Sequence, residues 1–137
     1  MIKRFIFVLI FYSLFISSSW SIIEIDITEG NREPLPIAIT EFFYNNTEKE
    51  TLEDISINIR NVISADLERS GLFKSINKEA FIQDNQSMHL RPRFEDWRLI
   101  KAQGLITGDL SLEGEKLKVE FRLWDTLAEE EIEALVL

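Results

Sequence analysis

The run from Leu117 to Leu127 alternates strictly between apolar and polar residues until it reaches a Trp-Asp-Thr turn. Such period-2 alternation predicts a β-strand with one buried and one polar face. The buried face comprises Leu117, Val119, Phe121 and Leu123, and the opposite face comprises Lys118, Glu120, Arg122 and Trp124. Trp124 therefore needs a helix to cover it, or it is exposed.

Three other segments also have the patterns of strands. Ile23 to Thr28 alternates isoleucine with polar residues, and Gly30-Asn31 ends it. Ile37 to Phe42 follows Pro34 and Pro36, which we place before the strand, where a missing amide donor does least harm. Leu105 to Leu112 is joined through Gly114 to the alternating run, which predicts a hairpin.

Two helices are predicted between these strands. Hydroxyl and acidic residues around Thr47 and Thr51 favour a helix start, and Gly71 favours a left-handed cap that ends it, with Leu72-Phe73 returning to the core. The apolar stripe of this helix comprises Leu52, Ile55, Ile59, Val62, Ile63 and Leu67. A second, short helix starts near Pro92 and ends before Gly104, with Phe94, Trp97 and Lys101 on one side.

The order strand, strand, helix, helix, hairpin predicts an α+β fold, a mixed β-sheet with two helices packed on one face. The chain has no cysteine, so its core alone must hold it together. Its length suffices for one compact domain. The acid-rich segment from Leu127 to Leu137 has no clear register.

Residues 1–21 have the three parts of a secretory signal peptide. Lys3 and Arg4 form the positive region, Phe5 to Ile16 the apolar core, and Ser19 and Ser21 the small residues of a cleavage site. We expect cleavage after Ser21, which leaves a domain of residues 22–137. The alternative is an uncleaved anchor, but the apolar run is shorter than the roughly 20 residues that span a bilayer.

The charge excludes one class of partner. The chain has 15 basic and 24 acidic residues, and the two basic residues of the signal peptide are not balanced there by any acid. A domain this acidic repels nucleic acid. The acidity either keeps an exported domain soluble or attracts a basic partner.

The residues of common catalytic and metal sites are scarce. His89 is the single histidine, lies in a polar loop and is expected to be solvated rather than catalytic. One histidine and no cysteine exclude the usual zinc sites, and the glycines do not have phosphate-binding spacings. Trp97 is either a binding anchor or, as we expect, a core residue. We predict no catalytic residues, no metal, no cofactor and no small-molecule substrate.

The alternating run, together with residues 25–39 and 63–73, resembles the amino-terminal domain of the TolB family of the bacterial Tol-Pal system. The resemblance covers nearly the whole chain after the signal peptide. It implies a small α/β unit followed by a six-bladed β-propeller, in a periplasmic scaffold rather than an enzyme. In that family the scaffold links an inner-membrane complex to a peptidoglycan-associated lipoprotein and helps the outer membrane follow constriction during division.

The resemblance also implies a binding site for a TolA-like inner-membrane protein at the start of the mature chain. Its residues are Ile22, Ile23, Glu24, Ile25, Asp26, Ile27, Thr28, Glu29, Gly30, Asn31, Arg32 and Glu33. An alternating segment at a free chain end can add as a strand to a partner's sheet. The alternative is that Ile23, Ile25 and Ile27 form a permanent strand of this domain.

The chain departs from the family pattern after Leu137. We therefore expect the domain of residues 22–137 to be truncated at its carboxyl terminus, before the helix that should close it and before the propeller, which in the family carries the site for the lipoprotein Pal. Binding of a Pal-like lipoprotein is therefore not expected from these residues. The alternatives to an interaction domain are a fragment without its own function and a small secreted hydrolase with His89 as its base.

Overall fold

The computed structural model of this chain describes residues 33–45, 47, 49–84 and 91–137. Its strands are β1 (Leu35–Ile39), β2 (Phe43–Tyr44), β3 (Phe73–Ser75), β4 (Gly104–Glu113), β5 (Lys116–Asp125) and β6 (Glu130–Val136). Its helices are α1 (Lys49–Arg69) and α2 (Phe94–Leu99), and a 3₁₀ turn spans Lys78–Ala80.

Within the described residues these strands form one mixed sheet in the order β3-β1-β4-β5-β6, with β2 also paired to β4. β1 is parallel to both β3 and β4, whereas β4, β5 and β6 are antiparallel. The predicted hairpin is confirmed, with Leu105 opposite Trp124 and Leu112 opposite Leu117. Gly114 has a φ of 67° at its turn, which a glycine adopts without strain.

β1 and β2 are two parts of one strand interrupted by a bulge. Ile39 pairs with Ile106 and Phe43 with Asp109, so three residues of the first strand lie opposite only two of β4. The prediction of a continuous strand from Ile37 to Phe42 was therefore wrong at both ends. Pro36 lies inside β1 rather than before it, and its carbonyl accepts a hydrogen bond from Gln103 N at the start of β4.

The long helix α1 packs on one face of the sheet. Its buried Leu52 joins Phe42 and Leu110, and half-buried isoleucines of the same stripe extend this cluster towards β5. Ser56 Oγ donates to Phe42 O at 2.9 Å and Arg60 Nε donates to Ile39 O at 3.0 Å, so two polar side chains also tie the helix to the bulge. Gly71, with a φ of 74°, ends the helix as predicted.

Not all of the predicted apolar stripe is buried. The side chain of Val62 is 59% exposed, because it lies at the margin of the helix surface that contacts the sheet. Leu72, predicted to return to the core, is 65% exposed, and the neighbouring Phe73 is only half-buried. Lys101 lies after α2 in a turn with a φ of 62° rather than on the helix.

The short helix α2 covers a second cluster. Phe94 and Trp97 pack with Ala38, Ala102, Leu105 and Trp124. Successive strand residues point to opposite faces, so Leu105 of this cluster and Ile106 of the α1 cluster place the two helices on opposite sides. The α+β class and the mixed sheet with two helices are confirmed. The one-face arrangement is corrected, because both faces of the sheet carry apolar residues that need a cover.

Trp124 shows most clearly that α2 covers the second face of the sheet. It is only 8% exposed, its ring meets Phe94 edge to face at 5.9 Å, and its Nε1 donates to Thr107 Oγ1 at 2.9 Å. Of the two outcomes that the sequence left open, coverage by a helix is the one observed. Trp97 is likewise a core residue, at 1% exposed.

Candidate partner-binding site

The predicted site at residues 22–33 reaches the described structure only at its last residue. Ile22 to Arg32 lie outside the described residues, whereas Glu33 is exposed directly before Pro34 and β1. Leu35 N donates to Leu72 O at 2.8 Å, which fixes the chain at the start of β1, beside β3. The predicted segment therefore joins the domain at the amino-terminal end of a central strand.

Exposed leucines surround this point. Leu35 at the start of β1 and Leu72 just before β3 are both more than one-third exposed, and Glu33 and Pro34 beside them are exposed as well. Scattered surface leucines are ordinary, and two of them make a small apolar area at most. The described part of the site thus provides an attachment point and not a complete binding surface.

The second exposed structural feature is the edge strand β6, which the sequence did not predict. All its residues are exposed, and within the described part of the chain it pairs only with β5. Val119 N donates to Leu137 O and Leu137 N to Val119 O, so Ala134 and Val136 direct their peptide groups away from β5. This is an open sheet edge at its carboxyl-terminal half.

The amino-terminal half of β6 is acidic and irregular. Glu130, Glu131 and Glu133 line it, and a register shift interrupts its pairing beside Leu123 and Trp124. Charges and bulges of this kind discourage pairing with another strand. The preceding loop is held by Arg98, which contacts both Thr126 O and the Glu129 carboxylate.

Ion pairs cover the sheet face below Trp124. Arg122 of β5 reaches Asp109 of β4 and Glu131 of β6, each at 3.4 Å, so it links three strands. Lys118 Nζ lies 2.6 Å from Glu120 Oε1. The hydrogen bond from Lys118 holds the pKa of the Glu120 carboxyl below its ordinary value, and the same bond raises the pKa of Lys118.

The described residues contain no group of three or more potential metal ligands. None of the described helices has the length and hydropathy required to cross a membrane. His89, the residue considered as a base, lies outside the described part of the chain. The described residues thus offer a strand attachment point, an open edge and an ion-paired sheet face.

Comparison with known proteins identifies the family. The model of the TolB amino-terminal domain matches residues 23–132. The curated Tol-Pal system protein TolB of Pelagibacter ubique is 43% identical over 98% of this chain, which corresponds to 31% of that protein. This chain therefore spans about a third of the length of that relative.

Solved structures support the fold. TolB from Acinetobacter baumannii matches with a TM-score of 0.55 and 22% identity, over 76% of this chain and 23% of that one. The lipoprotein GNA1162 from Neisseria meningitidis matches with a TM-score of 0.56 and 10% identity, over 76% and 81% of the two chains. The carboxyl-terminal domain of LpoB from Salmonella enterica matches with a TM-score of 0.51 and 15% identity, over 79% and 84%.

At identities of 10% to 22%, these solved structures establish only a shared fold. The family model and the TolB sequence establish the family. The family model covers most of the chain, including β1, both helices and the hairpin described above. The chain belongs to the family of TolB amino-terminal domains.

Proposed function

We propose that this chain is a periplasmic protein-interaction domain of the Tol-Pal system, without catalytic activity of its own. In this role it supports outer-membrane integrity and coordinates envelope constriction during division. The observation that carries the proposal is the 43% identity, over nearly the whole chain, to a protein named for that system. The signal peptide, cleaved after Ser21, delivers the domain to the periplasm.

The binding segment is residues 22–33, and its partner is a TolA-like inner-membrane protein. The alternation of Ile23, Ile25 and Ile27 with polar residues suits an added strand, whose backbone supplies affinity and whose side chains supply specificity. About twelve extended residues reach roughly 40 Å from the attachment point at Leu35. That reach lets the segment enter a partner's sheet without moving the domain.

The charge chemistry of the described surface agrees with a non-enzymatic role. The perturbed pair Lys118 and Glu120 lies on an open sheet face and is part of a network of ion pairs. Catalytic groups with perturbed pKa values usually lie in a cleft beside a substrate, whereas structural ion-pair networks also shift pKa values. A structural network is the simpler account of this pair.

The proposal is tested by calorimetric titration of the purified protein with the periplasmic domain of a TolA-like protein. We expect micromolar affinity for the full segment and no measurable binding after deletion of residues 22–33. Replacement of Ile23, Ile25 and Ile27 by serine should also abolish binding, because it removes one face of the added strand. The matched control, Glu24→Gln with Asp26→Asn, should retain most of it.

Unchanged affinity after the deletion would refute the site. A thermal melt of the unbound deletion variant distinguishes this proposal from the alternative in which the isoleucines form a permanent strand of the domain. Loss of a permanent strand lowers the melting temperature of the unbound protein, whereas loss of a segment that acts only in the complex leaves it unchanged. We expect an unchanged melting temperature.

A further inference from the structure

The sheet topology creates a crevice that the interaction role does not use. The connection that leaves β1 continues through α1 on one face, and the connection that leaves β3 continues through α2 on the other. β1 and β3 are adjacent and parallel, so their carboxyl ends lie at the same edge of the sheet, where the two connections diverge to opposite faces. In open sheets with parallel strands, ligands bind at such a point.

A cavity of about 280 Å³ lies at this place. Thr40 and Glu41 directly follow β1, Lys78 and residues 81–84 follow β3, and Arg60 projects from α1. The topology and the cavity are independent observations that coincide at the same strand ends. The volume is near the lower end of ligand pockets, which begin at roughly 300 Å³, so it suits a small molecule.

The polar lining carries both charges. Lys78 Nζ lies 3.2 Å from Glu41 Oε1 and bridges the two strand exits. Arg60 uses Nε for Ile39 O and Nη1 for Asn61 Oδ1, and its Nη2 has no hydrogen-bond partner among the described residues. The Asp84 side chain adds a second carboxylate to the lining. A ligand of one sign would be repelled by half of these groups.

The wall beside α2 is preformed. Phe81 meets Trp97 edge to face at 5.0 Å. The buried Gln83 accepts from Arg93 N at 2.9 Å and from Trp97 Nε1 at 3.3 Å, which holds the loop against the core. Ile82 between them is exposed and gives the crevice an apolar surface. A ligand thus meets fixed walls and need not order the loop itself.

We propose that this crevice binds a small zwitterion of the size of an amino acid or dipeptide. Its carboxylate contacts Arg60 and Lys78, since Arg60 still has a donor to offer. Its ammonium group contacts Glu41 and Asp84, and its apolar side chain lies on Ile82. The proposal does not depend on the Tol-Pal assignment, because every described residue that lines the crevice lies after segment 22–33.

The probe is the dipeptide alanyl-leucine with free termini, titrated into ¹⁵N-labelled protein and followed by amide chemical shifts. We expect saturable shifts centred on Thr40, Glu41 and Gln83. Lys78→Gln should weaken binding at least ten-fold. Lys74→Gln, the same substitution at an exposed lysine of β3 outside the crevice, should leave it unchanged.

Arg60→Gln should also weaken binding ten-fold. This substitution also removes the hydrogen bond from Arg60 to Ile39 O, so if it impairs folding, Lys78→Gln is the variant that decides. An absence of saturable shifts at millimolar dipeptide would overturn the proposal, as would equal affinity of the Lys78→Gln and wild-type proteins. A dipeptide with both termini blocked, by acetylation and amidation, has no terminal charges. If it binds as tightly as the dipeptide with free termini, the ligand class is not a zwitterion.

Discussion

Gly108 occupies the position where the sheet leaves least room for a side chain. It lies opposite the bulge between β1 and β2, and the buried ring of Phe42 packs against it. A Cβ there would lie 2.4 Å from Phe42 Cε2 and 2.6 Å from Glu120 O. One obstacle is a buried ring and the other is backbone, so neither yields cheaply.

Gly108→Ala should therefore destabilise the protein by about 3 kcal/mol, the upper part of the usual range for overpacking. The control is Gly104→Ala in the same strand, where the nearest atoms belong to the Ile37 side chain at 3.2 Å. A shift of only a few tenths of an ångström relieves that contact, so the cost should stay below about 1 kcal/mol. Urea unfolding followed by tryptophan fluorescence measures both, and equal costs would contradict this account of the bulge.

At the scale of elements, the ion pairs across β4, β5 and β6 lie on the same sheet face as Trp124, which α2 covers. Glu120 is surrounded by Lys118 and Arg122 on its own strand. Asp109 and Glu113 of β4 and Glu131 of β6 contact the same two cations. These side chains are between 28% and 69% exposed, so solvent and salt screen the network.

The lowered pKa of Glu120 gives this network a pH dependence. Its pKa in the folded state lies below the unfolded value, so its stabilisation is present above the unfolded pKa and is lost as pH falls through the folded one. The urea midpoints of wild type and Glu120→Gln should differ most near neutral pH and converge in acid, and 1 M salt should reduce the difference.

Glu115→Gln provides the control, because Glu115 is exposed in the β4–β5 turn and forms no ion pair within the described residues. Its urea midpoint should differ little from that of wild type. A Glu120→Gln variant that is more stable than wild type near neutral pH would show that the carboxylate destabilises the sheet.

The elements that depend on local pattern were predictable from the sequence, and those that depend on pairing were not. The spacing of Leu52, Ile55 and Ile59 and the cap at Gly71 defined α1, and alternation defined the hairpin. β6 contains three glutamates among its first four residues, no clear alternation and a register shift. Its strand conformation comes from pairing with β5, a contact that the sequence of β6 does not encode by itself.

At the scale of the whole molecule, the strand order decides where sites can form. The order β3-β1-β4 brings together residues that are distant in sequence, such as Leu35 with Phe73 and Ile37 with Gly104. Hydrophobic patterning predicts which residues are buried but not which parallel strands are neighbours. The crevice at the ends of β1 and β3 was therefore not predictable, whereas segment 22–33 is a prediction from family resemblance.

Segment 22–33 becomes a free chain end only if the signal peptide is removed, so the proposed function requires cleavage after Ser21. Signal peptidase accepts small residues at the two positions that Ser19 and Ser21 occupy. We expect mass spectrometry of the periplasmic protein to find Ile22 as its first residue. Ser21→Leu should leave the precursor uncleaved, whereas Ser17→Leu, outside those positions, should not. A mature protein that begins at Met1 would tether the segment to an apolar anchor and contradict strand addition from a free end.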